Sequence, residues 1–248
     1  MDYSEILILF IIGVVSGIIN TIAGGGSLLT LPIMIFMGLP PNIANGTNRI
    51  QLIMQNISAV SGFKSKGISD FKFSSLLSLT AILGSIVGAQ IAIDISEELF
   101  KKILSIIMIL VIATIIFKKN KPSELLNNYA SKNKFISIFL FFFVGIYGGF
   151  IHAGVGFIIL TILSNINNMK LSNANSIKVF VALAFSIISL LVFIYEDKVN
   201  WIYGINIGIG SALGGWIASR WSYNKSDRII KIFLGITVGI MSIRLWFF

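Results

Sequence analysis

The chain has 248 residues, of which 56% are hydrophobic and 12% are charged, and its mean hydropathy is +0.91. Soluble domains carry roughly twice that charged fraction, so the composition excludes an ordinary soluble domain and predicts an all-α polytopic membrane protein. The chain has no Cys and a single His, so we expect no disulfide, no metal site and no cofactor. Its net charge of +9 lies in short loops between apolar runs, which fits membrane topology better than binding of nucleic acid.

The first half of the chain begins with an apolar run from about residue 6 to residue 20. We predict a retained span there, because its flank lacks the basic residues of a signal peptide. Three glycines, Gly24 to Gly26, then interrupt the run, and glycine is the weakest helix former after proline. Inside hydrocarbon such a break must lie against protein or a watery cavity, and the alternative is a tight loop between close-packed helices. The predicted helices that follow are 28–37, 44–63, 73–93 and 99–117.

The second half of the chain repeats this order after a polar linker at 118–134. A span from about residue 135 runs into a second glycine-rich break at Gly145–Gly156. A short apolar segment then reaches about residue 163. The remaining predicted spans are 175–195, 201–219 and 229–247, with about three extra residues near 221–226.

The two halves can be aligned by a shift of 129 residues, which places Gly25 on Gly154 and Arg49 on Lys178. One shift that matches features so far apart predicts a duplication, with a first repeat at 1–117 and a second at 135–248. Each repeat would hold a glycine-broken helical hairpin and three spanning helices. This gives about eight spans, or up to about ten helical segments.

The loops predict the orientation of the chain in the membrane. Most Lys and Arg fall in one set of loops and most carboxylates in the other. The positive-inside rule makes the basic side, including the linker at 118–134, cytoplasmic and places both termini outside. The second repeat then starts on the opposite side from the first, so the repeats are inverted. Inverted repeats with broken helices are a transporter architecture.

Four sequence motifs resemble those of a known family. They are Ala23–Pro32 (AGGGSLLTLP), Gly38–Pro41 (GLPP), Asn45–Arg49 (NGTNR) and, in the second half, Gly154–Phe157 (GVGF). Together they resemble the TauE/SafE family, also called the sulfite exporter or toluene sulfonate uptake permease family. The resemblance covers nearly the whole chain and implies a multi-spanning permease of the cytoplasmic membrane for small anions, often sulfur oxyanions or organosulfonates. The chain departs from the family pattern at Ser27, Thr161 and His152.

We predict that the two breaks meet near the membrane midplane and bind an anion, because free backbone N–H groups and helix N-termini favour negative charge. Arg49 and Lys178 would act as electrostatic entry guides on the two sides of the membrane. Alternatively, Arg49 snorkels to the lipid headgroups and Lys178 is an ordinary positive-inside charge. His152 could carry a coupling proton, although a lone buried His is more often a packing residue. The candidate substrate-binding residues are Asn20, Thr21, Gly24, Gly25, Gly26, Ser27, Asn48, Arg49, His152, Gly154, Gly156 and Lys178.

The leading functional prediction is secondary transport of a small anion across the cytoplasmic membrane. The alternatives are a channel-like anion conduit and a non-transporting membrane assembly partner. We do not expect an enzyme, because the sequence shows no nucleophile–base set and no nucleotide-binding loop. The expected partners are a small anion and the lipid bilayer. A homodimer is left open, since the glycine-spaced faces at Gly84–Gly88 and Gly210–Gly214 could pack within one chain or between two.

Overall fold

A computed structural model describes residues 2–68, 70–117, 133–220 and 227–247. Ten helices make up most of these residues, and the described part contains no strand. The predicted helices are present in the predicted order, with ends that differ by a few residues. The linker at 118–134, apart from its last two residues, and the predicted insertion at 221–226 lie outside the described residues. The helices are α1 (Tyr3–Ile22), α2 (Ser27–Phe36), α3 (Pro41–Lys64), α4 (Phe71–Asp94), α5 (Glu97–Phe117), α6 (Lys134–Phe150), α7 (Val155–Asn165), α8 (Leu171–Tyr195), α9 (Trp201–Arg220) and α10 (Asp227–Phe247).

The polarity of the bundle is that of a protein in lipid. By length and composition, α1, α4 and α8 are each able to cross a membrane, and α2, α6 and α7 are shorter apolar helices. Large apolar side chains such as Leu79, Leu83 and Leu191 are exposed on the outside, whereas the interior contains buried Asn, Gln, Arg and Lys. Soluble proteins show the opposite distribution. The predicted all-α membrane fold is therefore confirmed.

Glycines set two very close helix contacts. A Cβ built on Gly13 of α1 would lie 2.3 Å from the carbonyl oxygen of Ile207 in α9. In the matching contact of the other half, a Cβ on Gly145 of α6 would lie 2.1 Å from the carbonyl oxygen of Ala81 in α4. Small residues allow such backbone approach between membrane helices. The glycine-spaced faces at 84–88 and 210–214 take part in these contacts, so both are used within one chain.

The same contacts give the helix directions. In the contact between α1 and α9, Gly13 lies against Ile207 and Gly17 against Ser211. Residue numbers rise together along the two helices, so α1 runs parallel to α9, and α6 runs parallel to α4 for the same reason. At the end of α9, Arg220 Nη2 donates a hydrogen bond to Ser65 Oγ (3.3 Å), just after the end of α3 and before α4 begins. It follows that α1 and α6 start at opposite ends of the bundle. Inverted halves would make these contacts, while the duplication, its boundaries and the membrane orientation stay predictions.

The two short helices, α2 and α7, are enclosed by protein. Leu28 and Leu31 of α2 are fully buried in an apolar cluster with Leu104 of α5 and parts of α10. Ile159 of α7 is buried in a second cluster with Ile177 of α8. Each broken hairpin therefore lies against protein, as the unpaired backbone groups of a break inside a membrane require.

Candidate functional site

The two glycine breaks touch each other in the interior of the bundle. A Cβ built on Gly156 would lie 2.3 Å from Cα of Gly24, and a Cβ on Gly24 would lie 2.4 Å from Cα of Gly156. Gly24 and Gly154 also have left-handed backbone angles, with φ of +87° and +72°, which glycine adopts without strain. The first break and the second thus form one joint, at which only glycine fits between the two backbones.

Backbone N–H groups at the joint divide into paired and unpaired ones. In the first break Gly24 N donates to Ile19 O (3.2 Å) and Gly26 N to Asn20 Oδ1 (3.3 Å). In the second, Val155 N donates to His152 O (3.3 Å) and Phe157 N to Gly154 O (3.0 Å). These four are not free, contrary to the prediction from sequence, because the end of α1 and the second turn supply acceptors within reach. Four other N–H groups donate no hydrogen bond within the described residues, and they fall at positions that the shift of 129 makes equivalent. They are those of Gly25, Ser27, Gly154 and Gly156.

Amide side chains of α3 hold the first break in place. Asn20 Nδ2 donates to Gln55 Oε1 (2.5 Å), and Gln55 Nε2 donates to Thr21 Oγ1 (2.9 Å). Two turns before Gln55 in α3, Asn48 Nδ2 donates to Ser27 Oγ (3.2 Å). All of these side chains are buried. The predicted residues therefore fall into two hydrogen-bonded groups on the first break, Asn20 and Thr21 with Gln55, and Ser27 with Asn48.

Arg49 joins the first half of the chain to the break of the second half. Its side chain is 0% exposed, and its two terminal nitrogens donate to Gly148 O (2.5 Å) and Gly149 O (2.7 Å). These carbonyls lie in the last turn of α6, where the helix leaves its carbonyl groups without partners. Asn45 Oδ1 accepts a third hydrogen bond (3.0 Å), and the ring of Phe193 lies 5.4 Å from the guanidinium carbon.

Lys178 makes the reciprocal connection, from the second half to the break of the first. Its Nζ donates to Asn20 O (2.8 Å) and Thr21 O (2.9 Å) in the last turn of α1, and to Asn175 Oδ1 (2.6 Å). The side chain is only 3% exposed. Arg49 and Lys178 thus form crosswise caps on the two broken helices. Both cations are buried and not at a surface entry, because each donates to the carbonyls that a break leaves free.

His152 lies in the turn between α6 and α7 and is buried. Its backbone has φ of +57°, which is uncommon for a residue with a side chain. The ring lies 5.3 Å from the ring of Phe185, and Nδ1 lies 3.5 Å from Ser27 Oγ. His152 therefore connects the second break to the group of Ser27 and Asn48 on the first, while Nε2 has no partner within the described residues.

Helices α3 and α8, which contact the breaks through Arg49 and Lys178, carry further buried polar side chains. The sequence signals some of them, since an Asn- and Gln-rich stretch in an otherwise apolar chain marks Gln51, whose Nε2 donates to Ser211 Oγ (2.8 Å). It gives no signal for Ser186 and Ser189 of α8, which are fully buried, because serines occur in most of these helices. The described residues contain no group of three or more metal-ligating side chains.

The comparison that decides the family is a sequence model described as Sulfite exporter TauE/SafE, which matches residues 9–245. The chain belongs to the TauE/SafE family. This confirms the family indicated by the glycine and Asn-Arg motifs. No solved structure matches the chain.

Named relatives agree with this family. The chain is 26% identical over 238 residues to the probable membrane transporter protein ORF9 of Sinorhizobium sp, which covers 96% of this chain and 90% of that protein. It is 26% identical over 240 residues to the probable membrane transporter protein YfcA of Escherichia coli K12 (96% and 88%). It is 24% identical over 262 residues to the probable membrane transporter protein YjnA of Bacillus subtilis (99% and 100%). The family and the names of these relatives are those of membrane transporters and not of enzymes, which confirms that prediction and implies a small-molecule substrate and a multi-pass position in the bilayer.

Proposed function

We propose that this TauE/SafE protein is a secondary transporter of a small anion, of the sulfite, organosulfonate or related sulfur oxyanion class, across the cytoplasmic membrane. One observation carries the proposal. Arg49 and Lys178 are both buried, and neither has a carboxylate partner in the part of the chain that the structure describes. A buried charge is costly unless a counter-charge compensates it. An anionic substrate at the joint supplies that counter-charge.

The crosswise caps also determine the sign of the electrostatic field at the joint. The C-terminal ends of α1 and α6 carry partial negative charge, which would repel an anion. Lys178 and Arg49 donate hydrogen bonds to these ends and offset that charge. The N-terminal ends of α2 and α7, with their unpaired N–H groups, keep partial positive charge. The balance of the four helix ends therefore favours a negative ligand between the breaks.

The proposal is tested by the thermal stability of the purified protein against sulfite, sulfate, thiosulfate, sulfoacetate, taurine and simple carboxylates. A ligand at one hundred times its dissociation constant stabilises the folded state by about 2.7 kcal/mol. We expect a saturable rise in melting temperature with at least one sulfur anion and little change with matched cations. The absence of any such rise in folded protein would overturn the proposal and favour an assembly partner.

Flux into proteoliposomes separates a carrier from a conduit. A carrier gives rates that saturate with anion concentration, because each cycle requires a conformational change. A channel-like conduit gives rates that rise in proportion to concentration over the same range. A half-maximal flux at the anion concentration that gives half of the maximal thermal stabilisation would support the secondary transporter.

We also propose that the basic loops face the cytoplasm, with both termini outside. The chain has no Cys, so Ser65→Cys and Ser96→Cys would each introduce the only thiol of the chain. Both positions are exposed and lie at opposite ends of helix α4, in the turns before and after it. A membrane-impermeant maleimide added to intact cells should label the variant at position 96 and spare the variant at position 65. The reverse pattern would invert the proposed orientation.

A further inference from the structure

The buried side-chain atoms without a hydrogen-bond partner share one chemical property. Within the described residues every one of them is able to donate a hydrogen bond, and none is a carboxylate or amide oxygen. Buried polar groups are normally paired, so a set made of donors alone indicates a missing acceptor. The atoms are Arg49 Nε, Asn56 Nδ2, His152 Nε2, Asn175 Nδ2, Ser186 Oγ and Ser189 Oγ.

We propose that Ser186 and Ser189 of α8, together with Arg49 Nε and His152 Nε2, form a subsite that binds the oxygen atoms of the transported anion. This inference rests on the proposed function and adds to it the residues that contact the ligand.

One face of α8 contacts both His152 and Arg49 and also carries Ser189. Phe185, Ser189 and Phe193 are spaced by four residues, so they follow one another along that face at intervals of about 6 Å. The ring of Phe185 lies 5.3 Å from the ring of His152. The ring of Phe193 lies 5.4 Å from the guanidinium carbon of Arg49. Ser189 therefore lies between the residue that contacts His152 and the residue that contacts Arg49.

Gly148 links the two ends of this arrangement. Its carbonyl oxygen accepts a hydrogen bond from Arg49 Nη1 (2.5 Å), and a Cβ built on it would lie 2.8 Å from the ring of Phe185. The guanidinium thus approaches the part of α8 that also contacts His152. Ser186 follows Phe185 directly and precedes Ser189 by three residues, so it lies on the neighbouring edge of the same face.

The two serines differ from the other buried serines of the described residues. A serine inside a helix commonly donates to a carbonyl of its own preceding turn. Ser78 of α4 does so, with Oγ 2.8 Å from Ser74 O, and Ser137 of α6 donates to Asn133 O (3.2 Å). Ser186 and Ser189 are 0% exposed and have no partner within the described residues. Their hydroxyl protons are therefore available to a ligand.

The hydrogen bonds around Ser27 pair with the tautomer of neutral His152 that accepts at Nδ1. Thr30 Oγ1 donates to Asn48 Oδ1 (2.7 Å), so the amide of Asn48 directs Nδ2 to Ser27 Oγ (3.2 Å). Ser27 Oγ accepts that bond and has its own proton left for His152 Nδ1 at 3.5 Å. A neutral His152 then carries its proton on Nε2, the atom without a partner. The subsite accordingly presents one guanidinium N–H, one imidazole N–H and two hydroxyls, a set that suits an anion with several oxygen atoms.

The test uses the purified full chain and measures the stabilisation produced by sulfite and by sulfate as a function of concentration. Ser189→Ala and Ser186→Ala should each weaken the better-bound oxyanion about tenfold or more, since a hydrogen bond to a charged group is lost. The ligand-free melting temperature should be unchanged or higher, because the deleted hydroxyl had no partner. Ser78→Ala is the matched control, and it should keep the wild-type affinity.

A second pair of variants distinguishes the effect of the hydroxyl group from the effect of side-chain volume. Ser189→Thr keeps the hydroxyl, whereas Ser189→Val has nearly the same shape without it. We expect the Thr variant to bind the oxyanion at least tenfold more tightly than the Val variant. Equal affinities in that pair, together with wild-type affinity in both Ala variants, would overturn the subsite and leave anion transport in place. If no oxyanion stabilises the wild-type protein, the proposed function and the subsite both fail.

Discussion

The contact between the two breaks predicts the effect of a single methyl group. In Gly156→Ala the new Cβ would lie 2.3 Å from Cα of Gly24. Carbon atoms make relaxed contacts at about 3.5–4.0 Å, so the two breaks would have to separate by about 1.2 Å or more. The new Cβ is attached directly to the backbone and Cα of Gly24 is part of it, so no side-chain rotation can relieve the contact.

The magnitude follows from two opposing effects. Overpacking in a well-packed interior costs about 1–3 kcal/mol, and a clash between backbones belongs to the upper part of that range. Replacing Gly by Ala inside a helix stabilises by about 1 kcal/mol, and Gly156 is in the first turn of α7. The expected net loss for Gly156→Ala is therefore about 1–2 kcal/mol. Anion-dependent stabilisation should fall as well, since the unpaired N–H groups at the joint would move apart.

The assay is thermal unfolding of Gly156→Ala with and without the best stabilising anion, followed by flux in proteoliposomes. Gly239→Ala in α10 is the matched control, because its new Cβ would meet Ile112 Cδ1 at an ordinary 3.9 Å. If Gly156→Ala melts at or above the wild-type temperature and transports at the wild-type rate, the contact between Gly24 and Gly156 does not exist in the working protein.

The remaining predictions concern stability. Gly239→Ala should itself raise the free energy of unfolding by up to about 1 kcal/mol, and a lower melting temperature would contradict this. Asn20→Ala should lower it by about 1–3 kcal/mol, because Gln55 Oε1 and Gly26 N lose their partner. Asn206→Ala is the control for that variant, since the half-buried Asn206 donates to Ile202 O of its own helix, and we expect a change within about 0.5 kcal/mol.

The order of the helices could be predicted from sequence because its causes are local. Lengths of apolar runs indicate the long helices, and the glycine clusters mark where α2 and α7 must begin. The first residue of a helix is harder to predict from an apolar run. α3 begins at Pro41 and not at residue 44, since proline is well accepted in the first turn of a helix, where its missing N–H costs nothing.

The residues of the candidate site could be predicted only in part. The glycines that touch, Gly24 and Gly156, fall in the two motifs because close backbone approach requires glycine there. Ser186 and Ser189 could not be found in the same way. Their distinguishing property is the lack of a hydrogen-bond partner, which depends on the tertiary packing of α8 and not on the neighbouring sequence.

The crosswise caps show which contacts an alignment of the two halves can predict and which it cannot. A shift of 129 residues places Arg49 and Lys178 at equivalent positions, but it does not say which broken helix each one contacts. Each side chain crosses to the other half of the chain, because the carbonyls at the end of a broken helix lie beside α3 or α8 of that other half. The broken helix of each half is therefore completed by a cation from the other half, and the two halves depend on each other for their ends.

This arrangement predicts that removing a cation from one half loosens the broken helix of the other half. Arg49→Gln should loosen the second break and Lys178→Gln should loosen the first, since each variant leaves carbonyls of the opposite half without a cationic donor. Hydrogen–deuterium exchange measures this directly, as faster exchange at 150–157 in the first variant and at 20–27 in the second. Faster exchange in the hairpin of the same half, or equal exchange in both, would contradict the crosswise caps. Because the caps offset the negative helix ends at the joint, both variants should also weaken anion binding, whichever break is loosened.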